Sequence, residues 1–306
     1  MDKLLGQKIL ITGPAGKLAL PLSTELAADN DVWGIARFSD VESRDRCEAL
    51  GITTRAIDLS EGDFGDLPRD FDYVLHFAAV IDSGMDFERA LRINAEGTGL
   101  LMKHCQKAKA CLIVSTGAVY SLNSSPEHLY KEDDPLGGGS HPAPTYAISK
   151  IAQEAVARSA ARQYKLPTTI ARMNASYSSS AGMPVRHLDN LVKGIPIVIP
   201  NSDPAVFSPI HQDDINAQVP RLLSVASIPA TILNWAGDDV VSVEEWCRYM
   251  ASLAKMEVNF DYRDIGLKSL ANDNSLRRSL IGECRVNWRE GLRRVFAERY
   301  PSEKSL

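Results

Sequence analysis

The feature that most constrains this chain lies near its start. A short apolar run, Lys8-Ile9-Leu10-Ile11-Thr12, ends at Gly13, and Gly16 follows before a stretch with apolar residues at helical spacing, Leu18–Ala28. A run of that length bounded by glycine reads as a strand buried on both faces, the kind found in parallel sheets. Parallel strands cannot be joined by a hairpin, so a strand that turns straight into a helix opens a βαβ unit. Further strand candidates follow at Asp31–Ala36, Thr53–Asp58, Tyr73–Ala78, Cys111–Ser115, Thr168–Arg172 and Ile232–Ala236. Helical patterns at Phe87–Ala108 and Pro144–Tyr164 alternate with them. The expectation is an α/β chain with a Rossmann-type doubly wound parallel sheet and right-handed crossovers.

Beyond Arg172 the pattern changes. Residues 175–209 are Ser- and Pro-rich with one helical piece, Val185–Lys193, and helices are expected at Ile210–Ser224, 243–255 and Val286–Arg299. The reading assigns 1–174 to a Rossmann domain to which 210–240 return, and 175–209 with 241–306 to a smaller C-terminal substrate-binding lobe. At 306 residues, 44% hydrophobic and 24% charged, the chain has the composition of an ordinary globular protein. A net charge of −5 argues against nucleic acid or an anionic membrane as its main partner. No apolar run approaches the ~18 residues of a membrane span, and Met1–Gln7 lack the apolar core of a signal peptide, so a cytoplasmic protein is expected. The five cysteines are scattered without a CxxC pair, which indicates neither a zinc site nor a disulfide framework.

Gly13-Pro14-Ala15-Gly16-Lys17-Leu18-Ala19 sits between a strand and a helix, the context a dinucleotide-binding turn needs. Its glycines let the backbone approach a pyrophosphate, and the helix N-terminus offers N–H groups to it. An acidic residue at the end of the second strand would hold the ribose of NAD; this chain has Ala36 followed by Arg37, which suits a 2′-phosphate and points to NADP(H), with NAD(H) possible. Asp58-Leu59 could meet the adenine, or Asp58 could cap a loop. Tyr146-Ala147-Ile148-Ser149-Lys150 places an ammonium one helical turn from a phenol. A nearby positive charge favours phenolate, a tenfold change in that equilibrium being worth about 1.4 kcal/mol, and would make Tyr146 a general acid/base for a substrate hydroxyl. Ser115-Thr116-Gly117 ends a strand at the carboxyl edge of the sheet, where a hydroxyl could hold the reacting oxygen. Asn94, in a helical stretch, should bond backbone or cofactor. His76 reads as structural or cofactor-adjacent, and His211 as a cap. Residues 121–145, with Gly137-Gly138-Gly139, could form a mobile lid or an ordinary surface loop.

Together these elements resemble the extended short-chain dehydrogenase/reductases, the NAD(P)-dependent epimerase/dehydratase family. The glycine turn, Asp58-Leu59, His76-Phe77-Ala78-Ala79, Asn94, Ser115-Thr116-Gly117-Ala118-Val119-Tyr120, the Tyr146/Lys150 pair, Arg172-Met173-Asn174 and Ile210-His211-Gln212-Asp213-Asp214 stand in family order. The resemblance implies Thr116, Tyr146 and Lys150 as catalytic. It implies Gly13, Ala15, Gly16, Lys17, Arg37, Asp58, Leu59, Phe77, Ala78, Ala79, Asn94 and Ser115 as cofactor-binding, with Tyr146 and Lys150 also at the cofactor. It further implies a homodimer through the helices around 87–108 and 147–164. Gly117-Ala118 replace the acidic pair of the sugar dehydratases, and residues 203–209 hold no arginine to clamp a sugar diphosphate. Phe207 and its apolar neighbours there would suit a less charged small-molecule substrate, with Arg186 able to reach it from elsewhere. The expected activity is an NADP(H)-preferring oxidoreductase interconverting a secondary alcohol and a ketone. The alternatives are a sugar or nucleotide-sugar epimerase with tightly bound cofactor and, more remotely, a non-catalytic dinucleotide sensor.

Overall fold

The computed structural model describes residues 3–81, 84–138, 144–201, 204–264 and 268–301. Along the chain run β1 (Lys8–Thr12), α1 (Ala19–Ala27), β2 (Asp31–Ala36), α2 (Val41–Ala49), β3 (Thr53–Ala56), β4 (Tyr73–His76), α3 (Phe87–Leu91), α4 (Gly97–His104), β5 (Ala110–Thr116), α5 (Pro144–Tyr164) and β6 (Thr168–Met173). Then follow β7 (Ser176–Ser178), β8 (Ala181–Gly182), α6 (Met183–Val192), β9 (Ile197–Pro200), β10 (Val206–Phe207), β11 (Ile210–His211), α7 (Gln212–Ser224) and β12 (Thr231–Trp235). The last elements are β13 (Val241–Ser242), α8 (Val243–Ala254), β14 (Phe260–Arg263), α9 (Ser275–Ile281) and α10 (Trp288–Arg299).

Seven strands form the central parallel sheet in the order β12-β6-β5-β4-β1-β2-β3. Leu10 pairs with Trp33 on one side and Val74 on the other, and Leu75 with Leu112. Ile9, Leu10, Ile11, Val74, Leu75, Leu112 and Ile113 are fully buried, as apolar runs covered on both faces must be. A core of Leu10, Val74, Ile113, Leu101, Met102, Ala157, Ala161 and Ile170 joins the sheet to α4 and α5. Helices α4 and α5 lie close together: a Cβ on Gly99 of α4 would come within 2.9 Å of Val156.

The chain divides into two compact units, 1–119 with 143–172 and 215–233, and 120–142 with 173–214 and 234–306. The first holds most of the sheet. In the second, α6 packs on α8, and α8 on α10. There the Trp246 indole N–H donates to His187 Nδ1 at 3.1 Å. The segment expected as a lid falls partly outside the described residues, which end at Gly138 and resume at Pro144. Its described part is pinned: the Tyr130 N–H donates to Ala271 O at 2.9 Å, and the Tyr130 carbonyl accepts from the Asp273 N–H at 2.9 Å.

Three local differences from the expectation have physical causes. The helix expected at Phe87–Ala108 ends at His104 and contains a π-helical turn, Arg92–Glu96. Helix α2 has no counterpart in the sequence pattern because only Cys47 of its nine residues is buried, so it carries no apolar stripe. The helix expected from Ile210 starts at Gln212, since Ile210–His211 pair with β7.

Gly34 in β2 faces Pro14 of the glycine turn so closely that a Cβ there would meet Pro14 Cγ at 2.6 Å and Ile52 at 3.1 Å. Gly34→Ala is expected to destabilise the protein by about 1–3 kcal/mol through overpacking and to weaken dinucleotide binding by shifting the turn. Thermal melts and a cofactor titration check both; wild-type values in each would remove this coupling.

Candidate active site

The strand order reverses at β1, which has β2 on one side and β4 on the other. In a doubly wound sheet, ligands bind beyond the strand carboxyl ends at that point. A cleft of about 520 Å³ lies there, lined by Gly13, Ala15 and Gly16, by Ala36 and Arg37 after β2, by Asp58 and Leu59 after β3, and by Phe77, Ala78 and Ala79 after β4. Phe38, Ser39, Asp40, Ser43, Val80, Ile81 and Ile93 also line it, residues that no motif singled out. Gly13 has φ +66°, and a Cβ on it would lie 3.3 Å from Ala78 Cα. The turn therefore presents bare backbone where a side chain has neither room nor the conformation.

Helix α1 starts without a side-chain cap. Its positive dipole end is left to an anion. Ile35, Ile57 and Leu59 supply apolar wall for a flat ring. These features fit a dinucleotide. Asp58 fills the loop-capping role: its Oδ1 accepts from the Ser60 N–H at 2.9 Å and the Ser60 hydroxyl at 2.7 Å. Burial pushes its carboxyl up, but the Ser60 bonds and the charges of Arg37 and Arg92 outweigh that and hold it below the usual range.

Behind the cleft, His76 acts as a neutral keystone. Thr98 Oγ1 donates to Asn94 O at 2.7 Å, so at 2.8 Å His76 Nε2 must be the donor to that hydroxyl. Nδ1 is then an acceptor, taking the Thr12 hydroxyl proton at 2.7 Å, while Thr12 Oγ1 accepts the Ala78 N–H at 2.9 Å. One ring thus fixes the end of β1 and the Ala78 backbone facing Gly13. Burial, and secondarily the charge of Lys150, push His76 down to about 3. Asn94 takes its place through the π-turn. Its amide bonds both the N–H (2.8 Å) and the carbonyl (3.0 Å) of Val80 and donates to Ser149 Oγ at 2.9 Å. The backbone alternative expected for Asn94 is the one realised.

Tyr146, Lys150 and Thr116 come together where α5 meets the end of β5. The Tyr146 phenol is hydrogen-bonded to the Thr116 side chain. Burial raises the phenol above its ordinary value, while the Thr116 bond pulls it the other way. The expected lowering by Lys150 is a correction. Lys150 directs its ammonium to Val114 O at 2.7 Å, and burial pushes it down to about 7 despite the opposing pull of Glu154. The influences that move the phenol are its burial and Thr116, and Lys150 is not among them.

Ser115, expected at the cofactor, has a protein partner here. Its hydroxyl is buried and donates to Glu154 Oε1 at 2.6 Å. Lys17 is exposed. Glu154 stands on the same helical face, eight residues after Tyr146, a spacing that the motifs alone did not single out.

In the second unit, His211 caps α7, Nδ1 accepting from the Asp213 N–H at 3.1 Å. Asp214 accepts from the N–H groups of Arg285 (2.7 Å) and Val286 (3.1 Å). Phe207 is buried against Trp246, centroids 5.9 Å apart, and is core, not substrate wall. A separate cleft of about 300 Å³ lies within this unit, where Arg186, His187 and Asn190 face apolar walls from Pro196, Ile197 and Pro200. Among the described residues no group of His, Cys, Asp or Glu is placed to hold a metal ion, and no helix is long and apolar enough to cross a membrane.

His76 also makes a pH prediction. The unfolded imidazole takes a proton near pH ~6.5 that the folded one refuses until about 3. Its contribution is present above the unfolded value and is lost as pH falls through that window, at up to about 1.4 kcal/mol per pH unit. His76→Gln should cost about 1–3 kcal/mol at pH ~7 and flatten this acid slope. Urea denaturation at neutral and acid pH reads both, and an unchanged slope sinks the neutral-keystone role.

A sequence model of the NAD dependent epimerase/dehydratase family matches residues 9–207. No curated protein matches the sequence significantly. UDP-glucuronic acid 4-epimerase from Bacillus cereus, solved with NAD, superposes with a TM-score of 0.80 at 21% identity over 94% of this chain and 96% of that one. UDP-N-acetylglucosamine 4-epimerase from Methanobrevibacter ruminantium, in complex with UDP-N-acetylmuramic acid, gives 0.82 at 20% identity over 98% and 100%. UDP-glucose 4-epimerase from Thermotoga maritima, solved with UDP-glucose, gives 0.80 at 19% over 97% and 100%. At these identities the likeness is one of fold.

Proposed function

This chain belongs to the NAD-dependent epimerase/dehydratase family, and from that premise we propose that it interconverts the hydroxyl and keto states of a sugar carbon and so inverts it, an epimerase with a tightly held dinucleotide. The observation that carries the reading is the Tyr146–Thr116 hydrogen bond at the end of β5, with Lys150 one turn further along α5. A nicotinamide dinucleotide in the first unit's cleft would supply the hydride acceptor and donor. Gly13, Ala15 and Gly16 with the start of α1 would hold its pyrophosphate, and Ile57 and Leu59 its adenine.

Tyr146 takes the proton of the substrate hydroxyl and returns it. Its raised resting value keeps the phenol protonated, the form that donates to a ketone. Thr116, donating to the phenol oxygen, favours the phenolate that the opposite direction needs. Within the second unit, a cleft sets Arg186 and Asn190 beside apolar walls, a lining that suits a ring carrying an anionic group. The nucleotide-sugar complexes of the similar folds support the same class.

Tyr146→Phe is expected to lower turnover by about 10² to 10⁴-fold, with dinucleotide affinity nearly unchanged. Assaying with UDP-sugars checks this, and full activity in the variant removes the acid/base assignment.

One observation favours a second reading, an exchanging NADP(H) oxidoreductase. The residue directly after β2 is Arg37, and the carboxylate on that rim, Asp40, accepts the Glu42 N–H as the cap of α2. Mass spectrometry of nucleotide released on denaturation separates the two. Near-stoichiometric NAD(H) supports the epimerase. An empty protein that binds NADPH more tightly than NADH, a preference lost in Arg37→Ala, supports the oxidoreductase instead.

A further inference from the structure

Three charged side chains meet in the interior beside the proposed acid/base tyrosine, where unpaired charge is not tolerated. Lys150, Glu154 and Arg172 are 2%, 2% and 3% exposed. Tyr146, Lys150 and Glu154 follow at four-residue intervals along α5 and share a face. Arg172 on β6 grips Glu154 as a fork: Nη2 donates to Oε2 at 2.7 Å, and Nε to Oε1 at 3.0 Å. Oε1 also accepts the Ser115 hydroxyl at 2.6 Å. Ser115 lies between Val114, whose carbonyl receives the Lys150 ammonium at 2.7 Å, and Thr116, which bonds Tyr146. One carboxylate thus ties β5 and β6 to α5 at the strand positions that Lys150 and Tyr146 use.

The charges do not cancel. Glu154 is matched by Arg172, so Lys150 has only a share of that carboxylate. The groups that act with the ammonium are Glu154 of α5 and the neutral His76 of β4, with the Val114 carbonyl of β5 at 2.7 Å, while Arg172 of β6 is held on Glu154. Burial sets most of the depression of the amine, and Glu154, which is shared with Arg172, opposes it.

We propose that the buried Glu154–Arg172 pair is the positioning device of this site, registering β5 and β6 against α5 and balancing the charge beside Lys150. The proposal rests on the Tyr146/Lys150 reading given above. It differs from a mere structural brace, because a brace has no bearing on the proton of Lys150. Glu154→Gln removes the opposite charge that favours the ammonium and leaves Arg172 uncompensated, so the Lys150 midpoint falls. Arg172→Met frees the carboxylate to face Lys150, so the midpoint rises. Opposite shifts from the two variants are the signature.

The test uses the full chain without added cofactor, with lysine labelled at Cε with carbon-13 and followed by NMR across about pH 5 to 11, the range that spans free and depressed lysines. Lys150→Met identifies the signal. Wild-type Lys150 is expected to titrate near 7. Glu154→Gln should lower the midpoint by about one pH unit or more, and Arg172→Met should raise it by a similar amount. If one variant fails to fold, the direction of the other decides. Unmoved midpoints in folded variants, a wild-type midpoint in the ordinary lysine range, or collapse of both variants would each overturn the proposal. Turnover surviving Tyr146→Phe would remove the acid/base reading and leave these midpoints untouched. A dead Tyr146→Phe with unmoved midpoints would remove only the pair's role.

Discussion

Burial of the Lys150 ammonium is the constraint on which the candidate site depends. An amine taken out of water loses its proton unless something nearby holds the charge. Here burial pushes it down to about 7, and Glu154 is the group resisting. The oxygens of the buried Glu154 are in turn satisfied by Arg172 and Ser115. Breaking one partner of such a pair costs about 3–5 kcal/mol, whereas replacing both with well-packed apolar residues is often neutral or better. The pair is therefore weak as an explanation of stability and strong as an explanation of geometry. It fixes β5, which carries Thr116, and β6 against α5, which carries Tyr146 and Lys150.

The other half of the site is arranged around bare backbone and a neutral imidazole. The cleft beside β1 is lined by backbone at Gly13 and Gly16, and the conformational cost of glycine, about 0.5–1 kcal/mol each, is accepted for close approach. Bare backbone needs a rigid support, and His76 supplies it through the hydroxyls of Thr12 and Thr98. A titrating ring there would exchange an acceptor for a donor at Nδ1 and break the bond from Thr12. Burial keeps the ring neutral at every pH above about 3. The site's buried charges stand on the α5 side, where proton transfer is proposed, whereas Arg37 and Asp40 of the dinucleotide cleft lie at its exposed rim.

The sheet was legible in the sequence because its strands are buried on both faces and read as unbroken apolar runs between glycines. The Tyr146/Lys150 relation was legible because helical spacing is local. Direction was not. Ser115 and Thr116 are adjacent hydroxyls, yet one turns to Glu154 and the other to Tyr146, as alternation along a strand permits but does not assign. Glu154 carried a readable spacing, but its partner Arg172 lies on a separate strand, eighteen residues away. The π-turn that aims Asn94 at Val80 leaves no trace in a 3.6-residue period. The raised phenol of Tyr146 follows from desolvation, which only packing decides.

Cofactor choice and reaction type are also linked by magnitude. Arg37 is exposed at the rim of the cleft. An exposed ion pair contributes about 0–1 kcal/mol, and salt screens it further. A ribose phosphate met by such a side chain gains several-fold in affinity at most, which is too little to define an enzyme that must discriminate between dinucleotides. Retention is a different quantity. It grows with the backbone contacts of the glycine turn and the apolar wall of Ile35, Ile57 and Leu59, which are the same for either dinucleotide. A chain that returns hydrogen to its own substrate gains from retention and has no need of selectivity. The weakness of Arg37 as a discriminator is thus compatible with inversion at carbon and sits less easily with a reductase that draws on one cofactor pool.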